Sequence, residues 1–282
     1  MPQRSYYNYD PSLAAAIIFI IIFAISSILH LYQIIKTRTW FFIPFLLGSL
    51  FETVGFIGRA IGAEESPNWT FGPYVMQTLL LLLGPTLYAA SVYMMLGRLI
   101  RLLGAEKHSL IRPSWLTKFF LFGDIVSIAL QGIGGGKLVN AETRDDRESG
   151  ERIIIGGLTV QLLFFGLFMV VTGLLHFRIT RNPTATRISS VQVNWKRFLI
   201  IIYIASALIL IRSLFRMIEY IMGHDSVLQS QEVYIYVFDA ALMAAATVML
   251  NIFHPSEYLN TERKPIDDND SEVEMGLQNN LR

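Results

Sequence analysis

The sequence predicts an all-α membrane protein, a bundle of seven transmembrane helices with its N-terminus outside and its C-terminus in the cytoplasm. Three observations predict it. Hydrophobic residues make up 53% of the 282 positions and charged residues only 16%, a balance too apolar for an ordinary soluble domain. The apolar residues fall in seven stretches of about 20 residues, the length at which a helix crosses a hydrocarbon core of about 30 Å with its backbone bonded internally. The basic residues gather in alternate connecting segments, as the retention of Lys and Arg on the cytoplasmic side requires.

The first stretch, Leu13 to Ile35, has no basic flank and no small-residue cleavage site, so it reads as a retained helix rather than a cleaved signal. Phe41 to Ile61 follows with Pro44 in its first turn, and Pro73 to Leu96 opens on a proline and carries Gly84-Pro85 as its expected kink. Trp115 to Lys137 is expected to stop at Gly134-Gly135-Gly136, a run that would cradle a nucleotide only if it joined a strand to a helix. Ile153 to His176, Phe198 to Ile221 and Glu232 to Phe253 complete the set. The chain therefore divides into an extracellular segment 1–12, a transmembrane domain 13–254 and a polar tail 255–282. The tail's Asp267-Asp268-Asn269-Asp270 and lack of periodicity predict disordered cytoplasmic chain.

Orientation comes from Lys36 and Arg38, then Arg98, Arg101, Lys107, Arg112 and Lys118, then Arg178, Arg181, Arg187, Lys196 and Arg197, all in the odd-numbered connections. The short connections around Glu64 and Asp225 hold no basic residue, and the segment from Asn140 to Arg152 carries more acids than bases. This is the positive-inside pattern with the N-terminus outside. Asn68-Trp69-Thr70 is then a glycosylation sequon on the outer side, close to the helix ends. A net charge of +1 gives no reason to expect a nucleic-acid partner. The absence of cysteine excludes disulfides, thiolate metal sites and a cysteine nucleophile. His30, His176 and His254 fall near cytoplasmic helix ends, but without a His-x-x-x-His pair or a carboxylate at matching depth they read as single interfacial residues rather than zinc ligands.

Charged side chains inside a membrane cost several kcal/mol each, so they are expected to face the bundle interior and to pair. The second stretch carries Glu52 and Arg59, the fourth Asp124 and Gln131, the sixth Arg212, Arg216 and Glu219, and the seventh Glu232 and Asp239. Spacings of four and seven place the members of each set on one helical face, since seven residues return to within about 20°. Gln77, Gly84, Tyr88 and Ser91 share a stripe on the third stretch, and Gln161 gives the fifth a lone amide. With the N-terminus outside, Arg59, Gln77, Gln131, Gln161, Arg212, Arg216, Glu219, Glu232 and Asp239 lie in the outer half, and Glu52 and Asp124 near the middle. Glu52 is expected to be ion-paired. Two readings are open: buried pairs that fix helix register, and a partly hydrated ligand cavity open to the outer leaflet. The number of ionisable groups at one level favours the cavity.

The same residues carry a resemblance. Tyr9-Asp10-Pro11 precedes the first helix; Glu52-Thr53-Val54-Gly55-Phe56-Ile57-Gly58-Arg59 lies in the second; Gln77, Gly84-Pro85, Ala89-Ala90, Tyr93 and Gly97-Arg98 mark the third. Asp124, Gln131, Gly132, Gly157, Gln161, Arg212, Phe215-Arg216, Glu219, Glu232 and Asp239 follow. From about Tyr6 to His254 this resembles the fungal RTA1-like family, a lipid-translocating exporter group of seven-helix proteins. Gly84 departs from the alanine expected before the proline, which bears on local packing. The resemblance implies a fungal membrane protein; the expected location of this multi-pass chain is the plasma membrane, with the vacuolar and ER membranes as alternatives. It also implies a link to resistance against, or movement of, amphiphiles such as sphingoid long-chain bases, sterol-like amines or porphyrins.

The expected function is therefore non-enzymatic, without a cofactor: binding an amphiphile's polar head among these side chains and supporting its translocation or efflux. Acids Glu52, Asp124, Glu219, Glu232 and Asp239 would receive a cationic amine, and Arg59, Arg212 and Arg216 would hold the network or an anionic head. No ATP-binding loop is seen, so transport would run on a gradient. A lipid receptor signalling through the basic connections is the alternative. An intramembrane metal-dependent lipid hydrolase would need a site that is not found in the sequence.

Overall fold

A computed structural model describes residues 9–139, 143–181, 194–223 and 227–259. Among these residues every regular element is helical, and seven helices are long and apolar enough to cross a membrane. They are α1 (Leu13–Thr37), α2 (Ile43–Glu64), α3 (Phe71–Leu102), α4 (Pro113–Val139), α5 (Arg144–Arg181), α6 (Trp195–Met222) and α7 (Glu232–Ile252). Short helical turns at Trp40–Phe42, Val227–Ser230 and Ser256–Leu259 flank them. Arg187, Asp225 and the chain beyond Leu259 fall outside the described residues.

The helix limits have local causes. Ser12 caps α1, its hydroxyl accepting from the Ala15 N–H at 3.3 Å, and Arg38 closes it in the left-handed conformation at φ 55°. Pro44 and Pro73 sit in first turns, where no backbone donor is missed. Pro85 lies inside α3, which continues through it.

Three expectations are corrected. The glycine run does not stop α4, which continues to Val139, because Gly134 is a contact rather than a terminus. A Cβ there would lie 2.7 Å from the Gly150 carbonyl oxygen, so the residue lets α4 and α5 touch backbone to backbone. The segment from Arg144 onward is not a loop but the first turns of α5, whose 38 residues make a rod of about 57 Å. The tail begins with a helical turn at Ser256–Leu259.

Two thirds (67%) of the apolar window of α3 is buried, against 28% for α1, so α3 is the central post and α1 a peripheral one. α2 packs on α3 through Gly55 and Gly58, where a Cβ would come within 2.7 Å of Leu81 and 3.0 Å of the Pro73 carbonyl. The outward face of α1 presents Ile17, Ile18, Ile21, Ile25 and Ile28. An isoleucine stripe of this kind is what a lipid-facing surface needs.

Candidate functional site

The sequence spreads arginines and acids over α2, α6 and α7, and the fold brings them together at the end of the bundle where α2 ends and α7 begins. Arg59 of α2 is fully buried. Its Nη2 donates to Glu232 Oε1 and to the Tyr9 hydroxyl, both at 2.8 Å, and its Nε donates to the Tyr236 hydroxyl at 3.0 Å. The Tyr9 and Tyr236 rings also lie 5.6 and 5.1 Å from the guanidinium, close enough for cation–π attraction. Glu232 Oε1 accepts as well from the Ser12 backbone N–H at 2.8 Å, so one carboxylate ties α7 to α2 and to the start of α1. Burial raises the Tyr9 hydroxyl above the ordinary tyrosine range, against the pull of Arg59, so it stays a neutral acceptor.

The second group joins α6, α7 and α3. Arg212 Nε lies 2.7 Å from Asp239 Oδ1, and Arg216 Nη2 lies 2.6 Å from Asp239 Oδ2. Arg216 Nη1 also reaches Glu219 Oε2 at 3.0 Å. The remaining partner of Arg212 explains the proline. Pro85 has no N–H to return to the carbonyl four residues earlier, and that carbonyl, Leu81, accepts from Arg212 Nη2 at 2.6 Å. Gly84 has a similar purpose: a Cβ there would sit 2.7 Å from Glu52 Oε1, so its absence admits the Glu52 carboxyl between α2 and α3. Gln77 is buried two turns before Gly84 on α3, its backbone against Gly58.

A third group is amide and hydroxyl only. Gln131 Nε2 donates to Ser127 Oγ at 2.6 Å and to Gln161 Oε1 at 3.1 Å, Ser127 Oγ donates to the Gly157 carbonyl at 2.8 Å, and Gln161 Nε2 reaches Thr86 Oγ1 at 3.4 Å. These bonds join α4 to α5 and α5 to α3. Asp124 has no ion pair among the described residues and lies fully buried against Tyr93, its one polar neighbour of note. Tyr93 is itself packed among Phe120, Phe165 and Phe168.

Comparison with known proteins decides the family. The model described as RTA1 like protein matches residues 45–262, a span that contains every charged residue of α2, α6 and α7 named above. The chain belongs to the RTA1-like family. It is 33% identical to Protein RTA1 of Saccharomyces cerevisiae, covering 88% of this chain and 84% of that one. Protoporphyrin uptake protein 1 of the same yeast is 31% identical, covering 87% and 90%, and its sphingoid long-chain base transporter RSB1 is 28% identical, covering 89% and 73%. No solved structure matches at a significant level.

Within this RTA1-like protein the expected site residues thus divide. Arg59 with Glu232, and Arg212 and Arg216 with Asp239 and Glu219, form two neighbouring ionic groups. Glu52 borders the second; Gln131 and Gln161 form a separate seam, and Asp124 stands alone. Glu52 makes no ion pair among the described residues, contrary to expectation, because Asp239 engages both α6 arginines. Glu232 and Asp239 do not share a face either. Residues Tyr236–Ala240 form a π turn, and its additional residue shifts the helical phase by about 100°. Glu232 consequently turns to α2 and Asp239 to α6. The sequence reading missed Ser12, Tyr236, Ser127, Thr86 and the Leu81 carbonyl as members; only Ser127, one turn before Gln131, carried a spacing signal. At the sequon, Asn68 N–H donates to the Glu65 carbonyl at 2.7 Å and the Thr70 hydroxyl donates to the Glu65 carboxylate, folding the segment into a turn. His30 and His254 approach at 6.5 Å between ring centroids, whereas His176 packs on Trp195 and Tyr203.

Proposed function

We propose that this protein binds the charged head of an amphiphile at the α2–α6–α7 network and supports movement of that amphiphile across the membrane. The observation that carries the reading is the concentration of both signs of charge, buried and mutually paired, at one end of the bundle. A sphingoid base presents an ammonium and a protoporphyrin presents carboxylates, so relatives named for these two ligands have the chemistry that such a network can exchange partners with. Glu232, with 17% of its side chain exposed, is the acid at the rim, and the tail of the ligand would remain in lipid. With the N-terminus outside, this end faces the outer leaflet, and the plasma membrane is the proposed location. Asn68 is the proposed glycosylation position on the same side.

The test is reconstitution of the purified protein into liposomes with a fluorescent sphingoid base and, in parallel, a fluorescent phosphatidylcholine. Leaflet exchange of the base, above that in protein-free vesicles and without matching exchange of the phospholipid, is the expected result. No acceleration of the base would overturn transport by this chain and favour a receptor role. Equal acceleration of both lipids would replace selective binding with general scrambling.

A further inference from the structure

The buried charges around α6 do not balance. Arg59 and Glu232 neutralise each other. Next to them, Arg212 and Arg216 face three carboxyls, those of Asp239, Glu219 and Glu52. Asp239 takes a nitrogen from each arginine and Glu219 takes another from Arg216, so Glu52 is the acid left over. It is 1% exposed, has no ion pair among the described residues, and its Oε1 has no hydrogen-bond partner.

The fold holds it there deliberately, in the niche that Gly84 leaves open against the central helix. The titratable and charged groups acting on it are Asp239 from α7, Arg212 and Arg216 from α6 and Tyr88 from α3. On its own helix Arg59 lies two turns away, bonded to Glu232. A third carboxylate facing two guanidiniums, almost wholly buried, is an uncompensated charge, and such a group neutralises rather than remain ionised.

We infer that Glu52 is an exchange site, occupied alternately by a proton and by the ammonium head of a cationic amphiphile. When a protonated amine enters, the Glu52 O–H bond breaks, its proton leaves to solution, and the carboxylate pairs with the ammonium. One positive charge replaces another, so the network keeps its balance at every stage. Departure of the amine reverses the step and takes one proton back. The exchange supplies what the absence of an ATP-binding loop leaves open: movement of the amine coupled to movement of a proton in the opposite direction. This inference rests on the amphiphile reading above, and the experiment separates the two.

The purified full-length protein is titrated with sphinganine in weakly buffered detergent between pH 5.5 and 7.5, where the base is fully protonated. Bound base and released protons are both measured. The expected result is release of about one proton per base bound and a binding affinity that falls about tenfold for each unit of acidification. Glu52→Gln, which mimics the protonated acid, should release none. Binding with no proton release overturns the exchange and leaves the amphiphile reading standing. No binding of sphinganine at all overturns both. Proton release that persists in Glu52→Gln overturns the assignment to this residue. Should that variant not fold, the wild-type pH profile decides, since an affinity flat over these two pH units overturns the exchange by itself.

Discussion

Asp239 is the residue on which the ionic network most directly depends, because it holds both α6 arginines. Asp239→Asn would leave two buried guanidiniums against a neutral amide, a loss of about 3 to 5 kcal/mol for a broken buried pair. Its thermal midpoint in detergent should fall further than that of Glu232→Gln, whose side chain lies partly exposed, or of Glu52→Gln, which removes no ion pair. Adding Arg212→Gln to Asp239→Asn should recover part of the loss, and strict additivity of the two would show that the residues do not interact. His254 carries a pH effect. It is buried, its Nδ1 accepts from the Ser256 N–H at 3.3 Å, and burial holds the ring down to about 4. The folded form thus binds fewer protons than the unfolded chain, whose histidine titrates near 6.5. The contribution is complete above about pH 6.5 and is lost as pH falls toward 4. Melting curves between pH 7 and 4.5 should show a steeper decline for the wild type than for His254→Gln, and parallel declines would remove this role. The acids and arginines of the network were readable in the sequence; which acid answers which arginine was not, because that depends on the relative rotation of the helices that carry them.

At the scale of elements, the seven helices were legible because each must satisfy its own backbone in lipid, which leaves a long apolar run as its mark. Their ends and irregularities were less so. The π turn in α7 has no sequence signature, and it invalidated the seven-residue arithmetic that put Glu232 and Asp239 on one face. The extra turns of α5 are polar, so hydropathy could not find them. Gly84 shows the opposite case, a departure visible in the sequence whose meaning needed the fold. Gly84→Ala should destabilise the protein by about 1 to 3 kcal/mol, because its Cβ would press on the Glu52 carboxyl. Thermal melts of Gly84→Ala alone and combined with Glu52→Ala test this: the second change should make the first less costly, and an equal cost in both backgrounds would show that the two do not meet.

For the whole molecule, the charge pattern of the connections makes the prediction. An epitope tag after Arg282 should be protected from external protease in intact cells, and one near Asp225 should be cut. The reverse would place the ionic network toward the cytoplasm and invert the direction of any coupled exchange. The sequence showed that polar groups were numerous in the membrane, but it suggested one continuous site. The fold separates an ionic half, built on α2, α3, α6 and α7, from an amide seam that fastens α4 to α5. Nothing in helical periodicity distinguishes the two, since periodicity reports the face of a helix and not the neighbour it meets.

The bond from Arg212 to the Leu81 carbonyl also bears on how such a chain changes over generations. A descendant that lost Pro85 first would regain a backbone N–H for that carbonyl and draw it back along the axis of α3, away from the guanidinium. One that lost Arg212 first would leave a bare carbonyl in the membrane interior, a costly group to expose there. Either first step is unfavourable, so the proline and the arginine should be inherited as a unit. Among RTA1-like proteins the two positions are expected to be kept together or replaced together, and an alignment in which they vary independently would show that the carbonyl has found another partner.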